Sequence, residues 1–203
     1  PPPPPPTPPQ PPPPPPPAPP PGYEEVTGVD LSGSFISAAQ QMLEQGSLPY
    51  YRIDSGEIGT WKEATLPAPT TAAHKISFAR ADACALPETM EGFDACLLAN
   101  LLCRLPDPEA LLRRMGNGLV RSGGLALIVS PYTWMEQHTA RERWLGGFTS
   151  EEGEAVHSAE TLRKLMANGG FKLLGEKQMP LLIREHERKY QYIVSHAMAF
   201  QKE

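Results

Sequence analysis

The chain has 203 residues, 26 of them proline, and a formal net charge of −5. Its 18 basic and 23 acidic side chains form no basic run, which argues against nucleic acid or an anionic membrane as a partner. No apolar stretch approaches the ~18–20 residues of a membrane span, and a proline tract is not a signal peptide.

Residues 1–21 hold 18 prolines, broken only by Thr7, Gln10 and Ala18. Proline fixes φ and has no N–H to give a helix or a sheet. Residues 1–22 are therefore expected to be a disordered, polyproline II tail. It serves either as a stiff solvated spacer or as a ligand for the aromatic-lined grooves of profilin, SH3 or WW modules. Residues 23–203 suit a single domain. The three cysteines, Cys84, Cys96 and Cys103, lack CxxC spacing. They suggest a reducing, cytoplasmic setting, with no disulfide framework and no metal site.

Residues 26–30 read as a short apolar strand ending in an acid, Asp30. A helix over residues 33–45 follows, with Ser32 as N-cap and Gly46 as its stop. Residues 48–54 form a short extended segment, and residues 56–73 read as a polar, proline-broken surface insertion. Residues 75–80 make a second strand that ends near Asp82. The continuous apolar run at 93–99 suggests a strand buried on both faces. Asp107 caps a helix through Met115, with Pro108 at its first position. Arg121-Ser-Gly-Gly reads as a tight turn into a buried strand at 125–129, followed by an aromatic-rich segment over 131–157. A helix at 158–168, with Ser158 as N-cap, and strands at 171–177 and 190–200 complete the chain. The βαβα order predicts an α/β fold: a doubly wound, mostly parallel sheet with helices on both faces and an antiparallel last strand.

The strand tip Val-Thr-Gly-Val-Asp, the Ala-Asp-Ala after the next strand, and Phe-Asp-Ala-Cys-Leu-Leu-Ala-Asn carry a resemblance. With Leu-Pro-Asp-Pro-Glu-Ala-Leu-Leu and Val-Arg-Ser-Gly-Gly-Leu-Ala-Leu-Ile, they resemble the class I S-adenosylmethionine-dependent methyltransferases, whose fold is Rossmann-like. Ala-Asn-Leu-Leu-Cys-Arg-Leu-Pro-Asp-Pro, Ser-Pro-Tyr-Thr-Trp with Arg-Trp-Leu-Gly-Gly-Phe, and Met-Pro-Leu-Leu-Ile-Arg-Glu are similar to the C-terminal methyltransferase domain of ovothiol synthases. That family opens with a strand and a glycine-rich loop, and proline stands at the corresponding positions here. The domain is thus expected to be incomplete at its N-terminal side, with no strand between those ending at Asp30 and Ala99.

The resemblance implies S-adenosylmethionine as cofactor. It assigns Asp30, with Leu31, to the ribose hydroxyls and Asp82, with Ala83, to the adenine. Asn100 would meet the methionine moiety or the methyl acceptor. Tyr132, Trp134, Trp144 and Phe148 would form an acceptor wall. Arg184 and Glu185 would bind the carboxylate and amine of an amino-acid-like substrate. Tyr132, His138 and His196 are candidate proton acceptors. Plainer readings stay open beside these: Asp30 and Asn100 as helix caps, Asp82 as a surface turn, the aromatics as loop packing, and Arg184–Glu185 as a solvated pair. The implied function is N-methylation of a mercaptohistidine-type acceptor. The alternative is a non-catalytic methyltransferase-like module with a proline-rich partner-binding arm.

Overall fold

The computed structural model describes residues 23–66 and 75–203. The proline-rich residues 1–22, and with them the tail and its partners, lie outside the described residues. In chain order the elements begin with β1 (Glu25–Asp30), α1 (Gly33–Gln45), β2 (Ser47–Ser55), β3 (Ile58–Thr65), β4 (Lys75–Arg80) and β5 (Phe93–Ala99). They continue with α2 (Pro108–Arg114), β6 (Val120–Ser130), β7 (Phe148–Thr149), β8 (Ala155–Val156), α3 (Ser158–Asn168), β9 (Phe171–His186) and β10 (Lys189–Lys202).

The largest sheet has the order β5-β6-β10-β9. β5 runs parallel to β6, and β10 runs antiparallel to both β6 and β9. β1 and β4 form a separate parallel pair. Among the described residues nothing pairs with the outer edge of β1 or of β5. α1 packs against β1, β4 and β2. Its start is capped by the Ser32 hydroxyl, which accepts from the Phe35 N–H. Its end is Gly46, at φ 73°, whose N–H reaches the Met42 carbonyl at 2.9 Å. That left-handed conformation is the reason for glycine there.

The core lies between the four-stranded sheet and the helices α2 and α3. Leu98, Ala126, Ile128, Met198 and Phe200 point into it from the strands. Leu111, Leu112 and Met115 meet them from α2 and its continuation, and Leu162 and Met166 from α3. Strand side chains alternate faces, so the neighbours of these core residues point the other way. Leu98 is 2% exposed and pairs across from Ile128, whereas Leu97 is 63% exposed and pairs across from Leu127. This corrects one expectation: β5 is buried on one face only, the face that α2 and α3 share. The α/β class and the mixed sheet stand as expected.

Three local readings also change. Residues 56–65, read as part of an irregular insertion, include β3, which pairs with β2 as a hairpin turning at Gly56 (φ 58°). Arg121-Ser-Gly-Gly lies within β6 as an irregularity of register, with Gly123 at φ 76°, rather than before it. α3 has His157, not Ser158, at its N-cap position, and the Ser158 hydroxyl instead accepts from Trp134.

The two faces of β6 give a direct test. Ile128→Ala should cost about 2–5 kcal/mol of stability, the range for truncating a buried aliphatic side chain. Leu127→Ala, one residue away on the open face, should cost about 1 kcal/mol or less. Urea denaturation measures both, and equal losses would show that the Leu127 face is covered.

Candidate functional site

Parallel strands point their carboxyl ends the same way, and in open α/β sheets ligands bind there. Asp30 and Asp82 stand at or just beyond the ends of β1 and β4, which are in register up to Asp30–Arg80. Asp30 accepts from the Ser32 N–H at 2.7 Å and so shapes its own turn; the helix cap is Ser32. Asp82 accepts from the Cys84 N–H at 2.8 Å at the start of a 3-10 turn. Each carboxylate uses only Oδ1 in these bonds. Both side chains are exposed, Leu31 beside Asp30 is exposed, and Ala83 packs against the core.

The ends of β5 and β6 carry the two non-glycine residues with positive φ among the described residues, Asn100 (54°) and Tyr132 (53°). Asparagine visits this region readily, but a tyrosine there is held by its surroundings. The Asn100 N–H donates to the Val129 carbonyl at 2.8 Å, and its Oδ1 accepts from the fully buried Ser195 hydroxyl at 2.8 Å. The Tyr132 N–H donates to the Ser130 hydroxyl at 3.2 Å. Its phenol oxygen is 3.1 Å from His196 Nδ1. His196 Nε2 lies 3.2 Å from Glu176, which also accepts from Arg163 at 2.7 Å. Arg163 and His196 hold the Glu176 carboxyl below the usual range, and burial pushes the Tyr132 phenol up to about 12.

A cleft of about 440 Å³ opens beside Asn100. Arg104, Pro131 and Thr133 line it from the strand ends, and Ile183, Gln191 and Ile193 line it from the β9–β10 hairpin. Arg104 Nη1 donates to the carbonyls of Cys103 (2.9 Å) and Thr133 (2.6 Å), and Nη2 donates to the Thr133 hydroxyl (3.2 Å). Sequence reasoning passed over Arg104. The signal was its place in Ala-Asn-Leu-Leu-Cys-Arg-Leu-Pro-Asp-Pro, a resembling segment from which no role for the arginine was drawn.

The other expected substrate residues are placed elsewhere. Trp134 and Trp144 stack on each other, with centroids 6.3 Å apart and planes at 19°. Arg141 lies 4.7 Å from the Trp144 ring centre and 5.2 Å from that of Phe148. The indole N–H groups donate to Ser158 (2.9 Å) and the Thr139 carbonyl (2.8 Å). Gly146 permits this packing, because a Cβ there would lie 2.6 Å from the Ser158 nitrogen. These rings pack within their own loop, and neither they nor Tyr132 line the cleft.

Arg184 and Glu185 sit near the tip of the β9–β10 hairpin, inside β9 and just before the last strand. Arg184 pairs with Glu187 and lies over Tyr190, while Glu185 pairs with Lys189 and accepts from Gln191. His138 is on the surface with Gln137. The cysteines are all free, and no helix among the described residues is long and apolar enough to cross a membrane.

A family profile described as a methyltransferase domain matches residues 19–176. No curated protein matches the chain. Among solved structures, a SAM-dependent methyltransferase from Methanosarcina mazei superposes with a TM-score of 0.55 at 19% identity, covering 88% of this chain and 82% of its own. The structure concerned with converting a disulfide bond into a thioacetal group in echinomycin biosynthesis gives 0.54 at 19% identity, covering 88% of this chain and 66% of its own. The [4+2]-cyclase SpnF gives 0.52 at 15%, with the same coverages of 88% and 66%. At these identities the likeness is one of fold.

The buried tyrosine supplies a pH test. Its folded-state pKa lies above the ordinary phenol value of 10, so its contribution is complete below pH 10 and is lost as pH rises toward about 12. Wild-type stability should therefore fall more steeply between pH 10 and 12 than that of Tyr132→Phe. Denaturant midpoints across that window measure it, and parallel curves would mean that the phenol titrates normally.

Proposed function

Because the chain belongs to the methyltransferase-domain family, the class I S-adenosylmethionine-dependent enzymes, we propose that it methylates a ring nitrogen of a mercaptohistidine-type acceptor, as in ovothiol biosynthesis. The observation that supports the reading is that Asp30 and Asp82 stand at the carboxyl ends of one parallel strand pair, while Asn100 stands at the carboxyl end of another and lines a cleft. The segments resembling the ovothiol enzymes include five members of that cleft, Asn100, Arg104, Pro131, Thr133 and Ile183.

The residues present suit the adenosine half of the cofactor. Each carboxylate has an oxygen with no protein hydrogen bond among the described residues. A free carboxylate oxygen on Asp30 matches a vicinal ribose diol, and one on Asp82 matches an exocyclic amine. S-adenosylmethionine, when bound, supplies a methyl group activated by its sulfonium. The protein's part is to hold the acceptor in line and to keep water away. Asn100 is preset for positioning: its Oδ1 is taken by Ser195, which leaves the amide N–H groups to donate. Ile183 and Ile193 give the cleft an apolar wall.

The second reading is a non-catalytic methyltransferase-like module with a proline-rich partner-binding arm. Two experiments separate the readings. In calorimetry, Asp30→Ala should weaken S-adenosylmethionine binding by about tenfold or more, the usual effect of removing a charged hydrogen-bond partner. An unchanged affinity would leave Asp30 with only its turn. Methyl-transfer assays should find the present chain weak or inactive, and a chain with the strand and glycine-rich loop added active on a mercaptohistidine acceptor. Inactivity of the extended chain on that acceptor would refute the assignment.

A further inference from the structure

We infer that the cleft beside Asn100 is a carboxylate-binding site, and that Arg104 is the residue that reads the anion. Among the described residues, Arg52, Arg113, Arg121, Arg143, Arg163 and Arg184 each pair with an acid, whereas Arg80, Arg104, Arg114, Arg141 and Arg188 do not, and of these five only Arg104 lines the cleft. Arg104 lines the cleft and has no carboxylate within 4 Å.

The way Arg104 is held matters more than its charge. A guanidinium has five N–H groups in a fixed fork. Both N–H groups of Nη1 go to the carbonyls of Cys103 and Thr133, and Nη2 gives one to the Thr133 hydroxyl. The end of the fork is thus anchored on Thr133. What remains is the side edge, made of Nε–H and the second Nη2–H, for which no protein acceptor is found among the described residues. Two parallel N–H groups of this kind match the two oxygens of a carboxylate. Because the side chain is already fixed by four bonds, the fourth from Nη1 to Cys103 Sγ at 3.4 Å, little rotamer entropy is lost when an anion arrives.

The other lining groups define the rest of the ligand. Ile183, Ile193 and Pro131 suit a flat, weakly polar body, and the free Asn100 amide donates to an acceptor atom on it. Gln191 gives its amide to Glu185 and keeps its carbonyl oxygen as an acceptor. The ligand class is a small heteroaromatic carboxylate. This assignment deepens the proposed function, on which it rests for calling the ligand an acceptor. It replaces Arg184, whose guanidinium is held by Glu187, as the carboxylate partner.

The test uses the full chain and two matched probes, 3-(imidazol-4-yl)propanoate and its methyl ester, titrated by calorimetry. The wild type should bind the acid about tenfold or more tightly than the ester, a ratio that falls as salt rises. Arg104→Gln should bring the ratio to about one. Arg104→Lys keeps the charge but loses the fork, and should leave an intermediate ratio. Arg184→Gln should leave the ratio as in wild type. The inference is overturned by equal or absent binding of the two probes to wild type, or by an Arg104→Gln protein that keeps the ratio while both affinities fall. A ratio that collapses in Arg184→Gln instead also overturns it. If Arg104→Gln does not fold, the Arg104→Lys ratio decides: an unchanged value overturns the proposal. Repeating the titration with a thiol on the imidazole ring separates the two claims. Arg104-dependent carboxylate binding with no gain from the thiol upholds the site and sinks the mercaptohistidine acceptor.

Discussion

The double pairing of β6, parallel to β5 on one side and antiparallel to β10 on the other, is the constraint on which the site depends. The parallel pairing brings the ends of β5 and β6 level, so that Asn100 and Tyr132 leave the sheet side by side. The antiparallel pairing sets His196 opposite Ser130. Adjacent residues of β10 then fall on opposite faces: Ser195 reaches Asn100, and His196 reaches Tyr132. One ladder thus supports a polar contact next to the cleft and another toward Glu176 and α3. A slip of one residue would exchange the two faces and break both contacts.

This division explains why the strained backbone occurs where it does. Asn100 and Tyr132 must turn sharply at the ends of well-ordered strands, and each side chain is caught by a β10 residue as it turns. Tyr132 is thereby committed to His196, and its neighbours Pro131 and Thr133, not Tyr132 itself, face the cleft. Arg104 then ties the two loops together, since its bonds run from the segment after β5 to the segment after β6. The cleft wall is therefore built from three separate pieces of sequence, two of them held together by one guanidinium.

The strand tips were legible in the sequence because apolar runs ending in Asp30, near Asp82 and at Asn100 mark both the strands and their carboxyl ends. Other features depended on tertiary context. Nothing in the Phe93–Ala99 run says that Leu97 and Leu98 have opposite fates, because the covering layer lies elsewhere in the chain. The aromatic residues of 131–157 were rightly seen as a group, yet their spacing could not reveal that Trp134 would meet Trp144 and Arg141 rather than a ligand. Arg104 was hidden because a lone arginine gains meaning only when its acid partners are known to be elsewhere. The fold itself accommodates more than one reaction, as its likeness to a cyclase shows, so the chemistry has to be argued from these side chains.

The open face of the four-stranded sheet bears on how the protein behaves in bulk solution. Leu97, Leu125 and Leu127 form an apolar strip beside the unpaired N–H and C=O groups of β5. Such an edge is a template for strand addition by another molecule, and the leucines beside it reward the encounter. Natural sheets blunt an edge of this kind with charge or proline, but the β5 sequence Phe-Asp-Ala-Cys-Leu-Leu-Ala carries a single acid, at its beginning. The same backbone that organises the cleft thus presents, among the described residues, an open apolar edge on which a strand of another molecule can add.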